Sequence, residues 1–267
     1  MRVPEIPNYP AIDINCCFNV GTIHDRTASN GLRADLPFLL AEYDRLDILA
    51  SGLCSYGAVS GMGDIRAENA LVQERTDQND GLFQWVVIDP NQPELLRQAE
   101  QMLDLPKVLG IRLPHSTRRS SIAQYADEIF ALAKAHQAIV MVHPTHVPEV
   151  VLFAEKYPQV NVIVPQLCTE RLGKECLVES IAGLGNLYTD TSGSPSTMNR
   201  CLEFAVSVCG ADRVLFGSGG ESLAFEKARV LLSALSPVDQ QKILLHNALR
   251  LFPKLAAWMA HRKGEGE

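Results

Sequence analysis

The segment AIDINCCF, residues Ala11–Phe18, is the first apolar run of the chain and shows the pattern from which the fold is predicted. Its length and composition predict a buried strand that gives way to a polar, glycine-containing loop. Strand alternation places Asp13, Asn15 and Cys17 on one face. An ordinary core strand does not need three polar or ligand-capable side chains pointing the same way. This strand end is therefore predicted to be functional.

Seven further apolar runs follow along the chain: Asp47–Cys54, Leu82–Ile88, Val108–Leu113, Ala138–Val142, Val160–Val164, Asn186–Thr191 and Arg213–Phe216. All are short and almost uniformly apolar, which indicates burial on both faces and hence parallel strands covered by helices. Eight strand–helix units in 267 residues predict an α/β fold, a single (β/α)8 TIM barrel over residues 1–262. An open, doubly wound sheet is the alternative, but no Gly-x-Gly-x-x-Gly pattern follows the first strand. Residues 263–267 are predicted to be a frayed tail.

Helical patterns fill most of the intervals between the strands. Among them, helices are predicted over Arg171–Ala182 and Asn247–Met259. The segment Ser55–Met62 is rich in glycine and serine and is predicted to be a connection.

Composition excludes several classes of partner. The formal net charge is −7, and lysine and arginine form no patch, which argues against nucleic acid and anionic membranes. No apolar stretch reaches the ~20 residues of a membrane span, and the first residues lack the apolar segment of a signal peptide. Seven cysteines without framework spacing suit a reducing compartment. These features predict a cytoplasmic protein whose partner is a small molecule.

In a barrel of this kind the active site lies at the C-terminal ends of the strands. Polar and thiol side chains at these ends are the candidate site residues: Asn15, Cys17, Cys54, Tyr56, Asp89, Arg112, His115, His143, Gln166, Cys168, Asp190, Ser192, Ser218 and Glu221. This assignment depends on position in the fold alone.

Several of the same segments resemble the amidohydrolase-related family, metal-dependent barrels that include decarboxylases and lactonases of carboxylated rings. The first strand of that family ends in Asp-x-His-x-His, and the matching segment here is Asp13-Ile14-Asn15-Cys16-Cys17. Later segments that resemble the family are Gly110-Ile111-Arg112-Leu113, Val140-Met141-Val142-His143, Arg213-Val214-Leu215-Phe216-Gly217-Ser218-Gly219 and Asn247-Ala248-Leu249-Arg250-Leu251-Phe252.

The resemblance implies a metal site that this sequence does not reproduce. The family holds its metal with two histidines on the first strand, one on the fifth and an aspartate on the eighth. Here only His143 remains, because Asn15 and Cys17 replace the pair and Gly219 replaces the aspartate. The strand-six histidine, a proton-transfer group in the family, is matched by Gln166, which cannot exchange a proton near neutral pH.

The resemblance therefore implies a divergent member with most metal ligands replaced and no metal cofactor. An alternative is a rebuilt zinc site in which Cys17 and His143 are joined by Cys168 or Asp190, since zinc accepts thiolate and imidazole ligands.

Three residues are candidates for catalysis, each with a structural alternative. His143 is a candidate base or hydrogen-bond donor, or else a core histidine. Cys17 is a candidate nucleophile if His143 lies within reach, or else a small apolar wall. Asp190 is a candidate orienting group, or else one half of a structural salt bridge.

Four residues are candidates for substrate binding: Arg112, Asn15, Gln166 and Ser218. Arg112 carries most of the argument, because an arginine in a buried strand is costly unless it is paired. It either binds a ligand carboxylate or pairs with a barrel acid such as Asp13.

The function predicted from these observations is hydrolase-type chemistry on a small carboxylated molecule without the family's usual metal. The alternative, from another class, is a catalytically inactive barrel that keeps a ligand pocket or an oligomer interface. A homodimer is the assembly to test.

Overall fold

The structure is a computed structural model that describes residues 7–18, 36–114, 122–143, 147–167, 171–172, 175–193, 200–220 and 222–264. Eight strands form one sheet, and each neighbouring pair is parallel. They are β1 Ala11–Phe18, β2 Ile48–Ser55, β3 Leu82–Val87, β4 Val108–Arg112, β5 Ile139–Met141, β6 Val162–Val164, β9 Leu187–Asp190 and β10 Val214–Leu215. Two further strands, β7 Arg171–Leu172 and β8 Glu175–Cys176, form a separate antiparallel pair.

Helices separate the strands of the large sheet. They are α1 Leu36–Arg45, α2 Tyr56–Ser60, α3 Ile65–Gln78, α4 Pro93–Met102, α5 Ala123–Ala135, α6 Val147–Lys156, α7 Leu177–Gly183, α8 Cys201–Cys209, α9 Leu223–Leu231, α10 Pro237–Gln241, α11 Asn247–Leu251 and α12 Pro253–Gly264. A 3-10 turn, Ala211–Arg213, precedes β10, and a π-helical turn, Lys242–His246, joins α10 to α11.

The sheet closes on itself, because the last strand returns to the first. The strand order is β1-β2-β3-β4-β5-β6-β9-β10. The Ile14 amide donates to the Phe216 carbonyl at 2.9 Å, and the Gly219 amide donates to the Asn15 carbonyl at 2.7 Å. These bonds join the two edges, and the predicted (β/α)8 TIM barrel is confirmed.

The first strand contains an irregularity that changes which side chains face the barrel interior. In its pairing with β2, Asp13 lies opposite Ser51 but Cys16 lies opposite Leu53, so one extra residue is accommodated on β1. Asp13 therefore lies on the same side as Ser51, whose hydroxyl accepts a bond from Tyr43 of α1 at 2.7 Å. The predicted common face of Asp13, Asn15 and Cys17 is wrong for Asp13, which faces the surrounding helices.

Three predicted segments differ from the structure. Ser55–Met62 contains the short helix α2, whose first turn is capped by the Ser55 hydroxyl accepting from the Gly57 amide at 3.1 Å. The predicted helix Arg171–Ala182 begins as the β7–β8 hairpin, and α7 starts only at Leu177.

The third difference is the break between α11 and α12. The prediction of one helix over Asn247–Met259 is wrong, because Pro253 has no amide hydrogen to continue the helical bonding. Helix α12 extends to Gly264 and so includes the start of the predicted tail, while residues 265–267 lie outside the described part of the chain. None of the helices in the described ranges has the length and apolar character that a membrane crossing requires.

Candidate active site

A hydrogen-bonded chain of three side chains crosses the C-terminal end of the barrel. Arg112, at the end of β4, donates through Nη1 to Asn15 Oδ1 at 2.5 Å. Asn15 Nδ2 then donates to Asp190 Oδ2 at 2.7 Å and to Ser192 Oγ at 3.0 Å. The three side chains of this chain, and Ser192 beside them, are buried. The strand ends of β1, β4 and β9 are thus joined through one amide group.

Both carboxylate oxygens of Asp190 accept hydrogen bonds from protein groups. Its Oδ1 accepts from the backbone amides of Gln166 at 3.0 Å and Ser192 at 2.9 Å, and from the Ser192 hydroxyl at 2.6 Å. Its Oδ2 accepts from Asn15. A fully buried carboxylate with this many donors orients its neighbours, and here the neighbour it fixes is the Asn15 amide.

Arg112 is the buried cation of the site. Its side chain is 6% exposed, and among the described residues it forms no ion pair. Burial lowers the pKa of the guanidinium, but Cys17, Cys54 and Asp190 favour the charged form, and the net pKa is raised. Arg112 is therefore a permanent positive charge beneath the barrel mouth, with one Nη bonded to Asn15.

The predicted alternative partner of Arg112, Asp13, is engaged elsewhere. Asp13 Oδ2 accepts from the Ser218 hydroxyl at 2.5 Å. Asp13 Oδ1 accepts from the backbone amide of Ser218 at 3.0 Å and from the backbone amide of Asn15 at 3.1 Å. Burial raises the pKa of Asp13 to about 7, although the hydrogen bonds from Ser218 and Asn15 lower it. Ser218 is 1% exposed and is directed to Asp13, so the structure does not bring it to the Arg112–Asn15–Asp190 group.

His143 and Gln166 lie at the rim of the site. His143 follows β5 and is half-buried. Met141 is the register partner of Arg112, and pleat alternation places His143 on the same face as Met141. Gln166 is half-buried with φ of +76°, and its side chain packs against the backbone of Gly193.

Two cysteines form a pair that sequence reasoning did not identify. Cys17 Sγ lies 3.3 Å from Cys54 Sγ, and the two residues are register partners on β1 and β2. Cys54 appeared only as one of the strand-end residues. The signal that could have found the pair is that each cysteine lies within one residue of the end of its predicted strand, and the two strands are consecutive.

Within the described ranges, the residues at the family's ligand positions do not fit the metal that the resemblance implies. Among the described residues, no group of three His, Cys, Asp or Glu is arranged to hold a metal ion. The Asn15 oxygen, the donor at a family ligand position, accepts from the Arg112 guanidinium, which would repel a cation there. Gly219 has no side chain that could replace the family's aspartate ligand.

Several candidates lie outside the described residues. These are His115, Cys168 and Glu221. The possible contribution of Cys168 to a zinc site accordingly stays a prediction.

Comparison with known families gives one match over most of the chain. A family model described as Amidohydrolase matches residues 55–254. The search of curated proteins returned no match.

Solved structures share the whole architecture at low sequence identity. The 2,6-dihydroxybenzoate decarboxylase from Rhizobium is 14% identical with a TM-score of 0.68, covering 91% of this chain and 98% of that one. The dihydroxybenzoic acid decarboxylase from Polaromonas sp. JS666, solved with manganese and 2-nitroresorcinol, is 16% identical with a TM-score of 0.69 and coverages of 91% and 97%. The 5-carboxyvanillate decarboxylase from Sphingomonas paucimobilis is 13% identical with a TM-score of 0.68 and coverages of 91% and 99%. At these identities the likeness concerns the fold.

Proposed function

The chain belongs to the amidohydrolase family, and we propose that it is a divergent member acting by hydrolase-type chemistry on a small carboxylated molecule without a metal ion. The solved relatives named above act on carboxylated aromatic rings. That substrate class fits a barrel whose mouth carries a buried arginine.

The observation that carries the proposal is the Arg112 guanidinium. It is buried, fixed by Asn15, and forms no ion pair among the described residues. A buried cation is costly unless an anion completes its environment. A ligand carboxylate would do so through the planar donors of the guanidinium, which match a carboxylate in geometry.

The remaining residues take roles that agree with their positions. His143, on the same strand face as the register partner of Arg112, is the base that would accept a proton from attacking water. Cys17 is a wall of the site or a nucleophile, and Asp190 orients Asn15 and thereby Arg112. Gln166 would donate a hydrogen bond to the ligand from the rim. Ser218, whose hydroxyl and backbone amide both donate to Asp13, is assigned no contact with the ligand.

The second candidate function is a binding barrel without turnover. It is favoured by the side-chain amide of Asn15, because both of its polar atoms are already hydrogen-bonded to protein groups. Gln166 cannot exchange protons at the position of the family's acid–base histidine. A cytoplasmic location and a homodimer stay predictions in either case.

The test compares carboxylated aromatics with their carboxamide analogues, measuring affinity by calorimetry and turnover by product mass spectrometry. Arg112→Gln should weaken carboxylate binding by about a hundredfold and leave carboxamide binding unchanged. Arg97→Gln, an exposed arginine on α4, is the matched control and should bind like the parent protein. Equal loss for both ligand types would remove Arg112 from carboxylate recognition.

Turnover and its metal dependence separate the remaining alternatives. Turnover that persists after chelation supports the metal-free hydrolase. Binding without turnover of any substrate favours the binding barrel. Activity that is lost on chelation and restored by zinc would overturn the metal-free proposal in favour of a rebuilt zinc site.

A further inference from the structure

The Cys17–Cys54 pair stands at the mouth of the barrel, and neither thiol is in a disulfide. The two sulfur atoms are 3.3 Å apart and face each other across neighbouring parallel strands. Cys17 is half-buried, while Cys54 is fully buried and also lies 3.7 Å from the Cys16 carbonyl. Cys17 is therefore the more exposed residue of the pair.

The backbone at this position suits a disulfide. Neighbouring strands lie about 4.8 Å apart, and register partners share that separation. The separation falls within the range of about 4.4–6.8 Å that Cα atoms of disulfide-bonded cysteines adopt. The sulfur atoms need to approach by little more than about 1 Å to reach bonding distance, so rotation of the side chains suffices.

The charge around the pair also favours oxidation. Arg112 lies close enough to both sulfurs to interact with each electrostatically. A guanidinium beside a cysteine stabilises the thiolate, which is the reactive form. Burial raises the pKa of Cys54 well above its usual value. Cys17, the more exposed of the two, is accordingly assigned as the thiol that reacts first, and Cys54 as the one that resolves the product.

We propose that Cys17 and Cys54 form a reversible redox site in which a hydroperoxide oxidises the pair to a disulfide. The Cys17 thiolate attacks the peroxide oxygen, the O–O bond breaks, and Cys17 becomes a sulfenic acid. The leaving alkoxide or hydroxide takes the proton that Cys17 gave up. Cys54 Sγ then attacks Cys17 Sγ, the S–O bond breaks, and the hydroxyl leaves with the Cys54 proton as water. Two thiols and one hydroperoxide thus give one disulfide, one alcohol or water, and one water.

This redox site needs two thiols and an oxidant but no substrate, so it is independent of the proposed function. The disulfide would tie β1 to β2 at the mouth and remove the Cys17 thiol from the neighbourhood of Arg112. A thiol reductant would restore both cysteines.

The test treats the whole protein with hydrogen peroxide, alkylates it, and maps disulfide-linked peptides without reduction. We expect two of the seven cysteines to be lost to alkylation, a peptide in which Cys17 is linked to Cys54, and full recovery after dithiothreitol. Linkage between other cysteines, or oxidation of Cys17 beyond the sulfenic stage while Cys54 stays alkylatable, would overturn the proposal. These measurements on the parent protein do not depend on the folding of any variant.

Single substitutions then order the two steps. Cys54→Ser should stop the reaction at the Cys17 sulfenic acid, which a dimedone-type probe captures. Cys209→Ser is the control, because this half-buried thiol on α8 has a pKa raised by burial to about 11 and should leave the linkage unchanged. Probe capture at Cys54 in a Cys17→Ser variant, at the rate seen for Cys17, would contradict the assigned order.

Discussion

At the scale of single residues, Asn15 is the junction of the candidate site. Its oxygen accepts from Arg112 and its nitrogen donates to Asp190, so one amide joins a buried cation to a buried anion. The sequence predicted that these residues would share one end of the barrel, because strand ends converge there. It could not show that Asn15 bonds to both, since that depends on side-chain geometry across three strands.

Replacing Asn15 by alanine should therefore cost more than an average buried polar substitution. Both Arg112 and Asp190 lose a partner, and we expect unfolding free energy to fall by about 3 kcal/mol. Urea denaturation measures this. Asn161→Ala is the control, because the side chain of Asn161 makes no hydrogen bond to the described residues and its loss should cost less than about 1 kcal/mol. Equal costs would show that the junction contributes nothing beyond ordinary packing.

The register shift in β1 is a feature that the sequence did not predict. Alternation alone assigned Asp13 and Asn15 to the same face, and the extra residue before Cys16 separates them. The Ile14 carbonyl, which lies in the irregular stretch, accepts from Trp85 Nε1 at 2.7 Å. Nothing in the spacing of polar residues indicates such a shift, because it arises from pairing with β2 and β10.

At the scale of elements, barrel closure depends on the loop after β10. Gly220 has φ of +92°, and a Cβ there would lie 2.3 Å from the Cys17 carbonyl oxygen, which is backbone and cannot move cheaply. Gly219 has φ of +71°, but a Cβ there meets nothing within 4 Å. A side chain at Gly219 would thus meet only left-handed backbone strain, whereas one at Gly220 would meet a steric conflict as well.

Gly220→Ala and Gly219→Ala are a matched pair that tests this distinction. Gly219→Ala should cost about 1 kcal/mol, the price of a left-handed alanine. Gly220→Ala should cost about 3 kcal/mol or more, because β1 and β10 must also move apart. Chemical denaturation of both variants gives the comparison. If the two losses were the same, the contact between Gly220 and β1 would not be a rigid part of closure.

The elements also show where local sequence rules succeed and where they fail. All eight barrel strands were predicted, because each is a short apolar run between helical patterns. The missed elements are short: α2 and the β7–β8 hairpin have few residues over which a period can be recognised. The break before Pro253 was predictable, since proline disfavours helical structure at the preceding residue and the proline is present in the sequence.

At the scale of the whole molecule, Asp13 links folding stability to pH. It is fully buried between the barrel and its helices, and burial raises its pKa from 3.8 to about 7. Below pH 4 the carboxyl is protonated in both states. Between pH 4 and 7 the unfolded chain releases the proton while the folded protein retains it, so the contribution to stability falls as pH rises through 7. A pKa shift of this size lowers the free energy of unfolding by about 4 kcal/mol in total as the pH rises from below 4 to above 7.

Asp13→Asn should remove this loss, because an amide imitates the protonated carboxyl. Its oxygen can accept from the Asn15 and Ser218 amides, and its nitrogen can donate to the Ser218 hydroxyl. Unfolding free energies of both proteins from pH 4 to 8 should diverge as pH rises, with the variant the more stable by a few kcal/mol above pH 7. Asp127→Asn is the control with the opposite sign, since Lys156 and Tyr157 lower the pKa of this exposed carboxyl and its contribution is lost as pH falls. Parallel curves for the parent protein and Asp13→Asn would mean that Asp13 ionises in the folded barrel as readily as in the unfolded chain, and that Ser218 stabilises the charge enough to cancel the cost of burial.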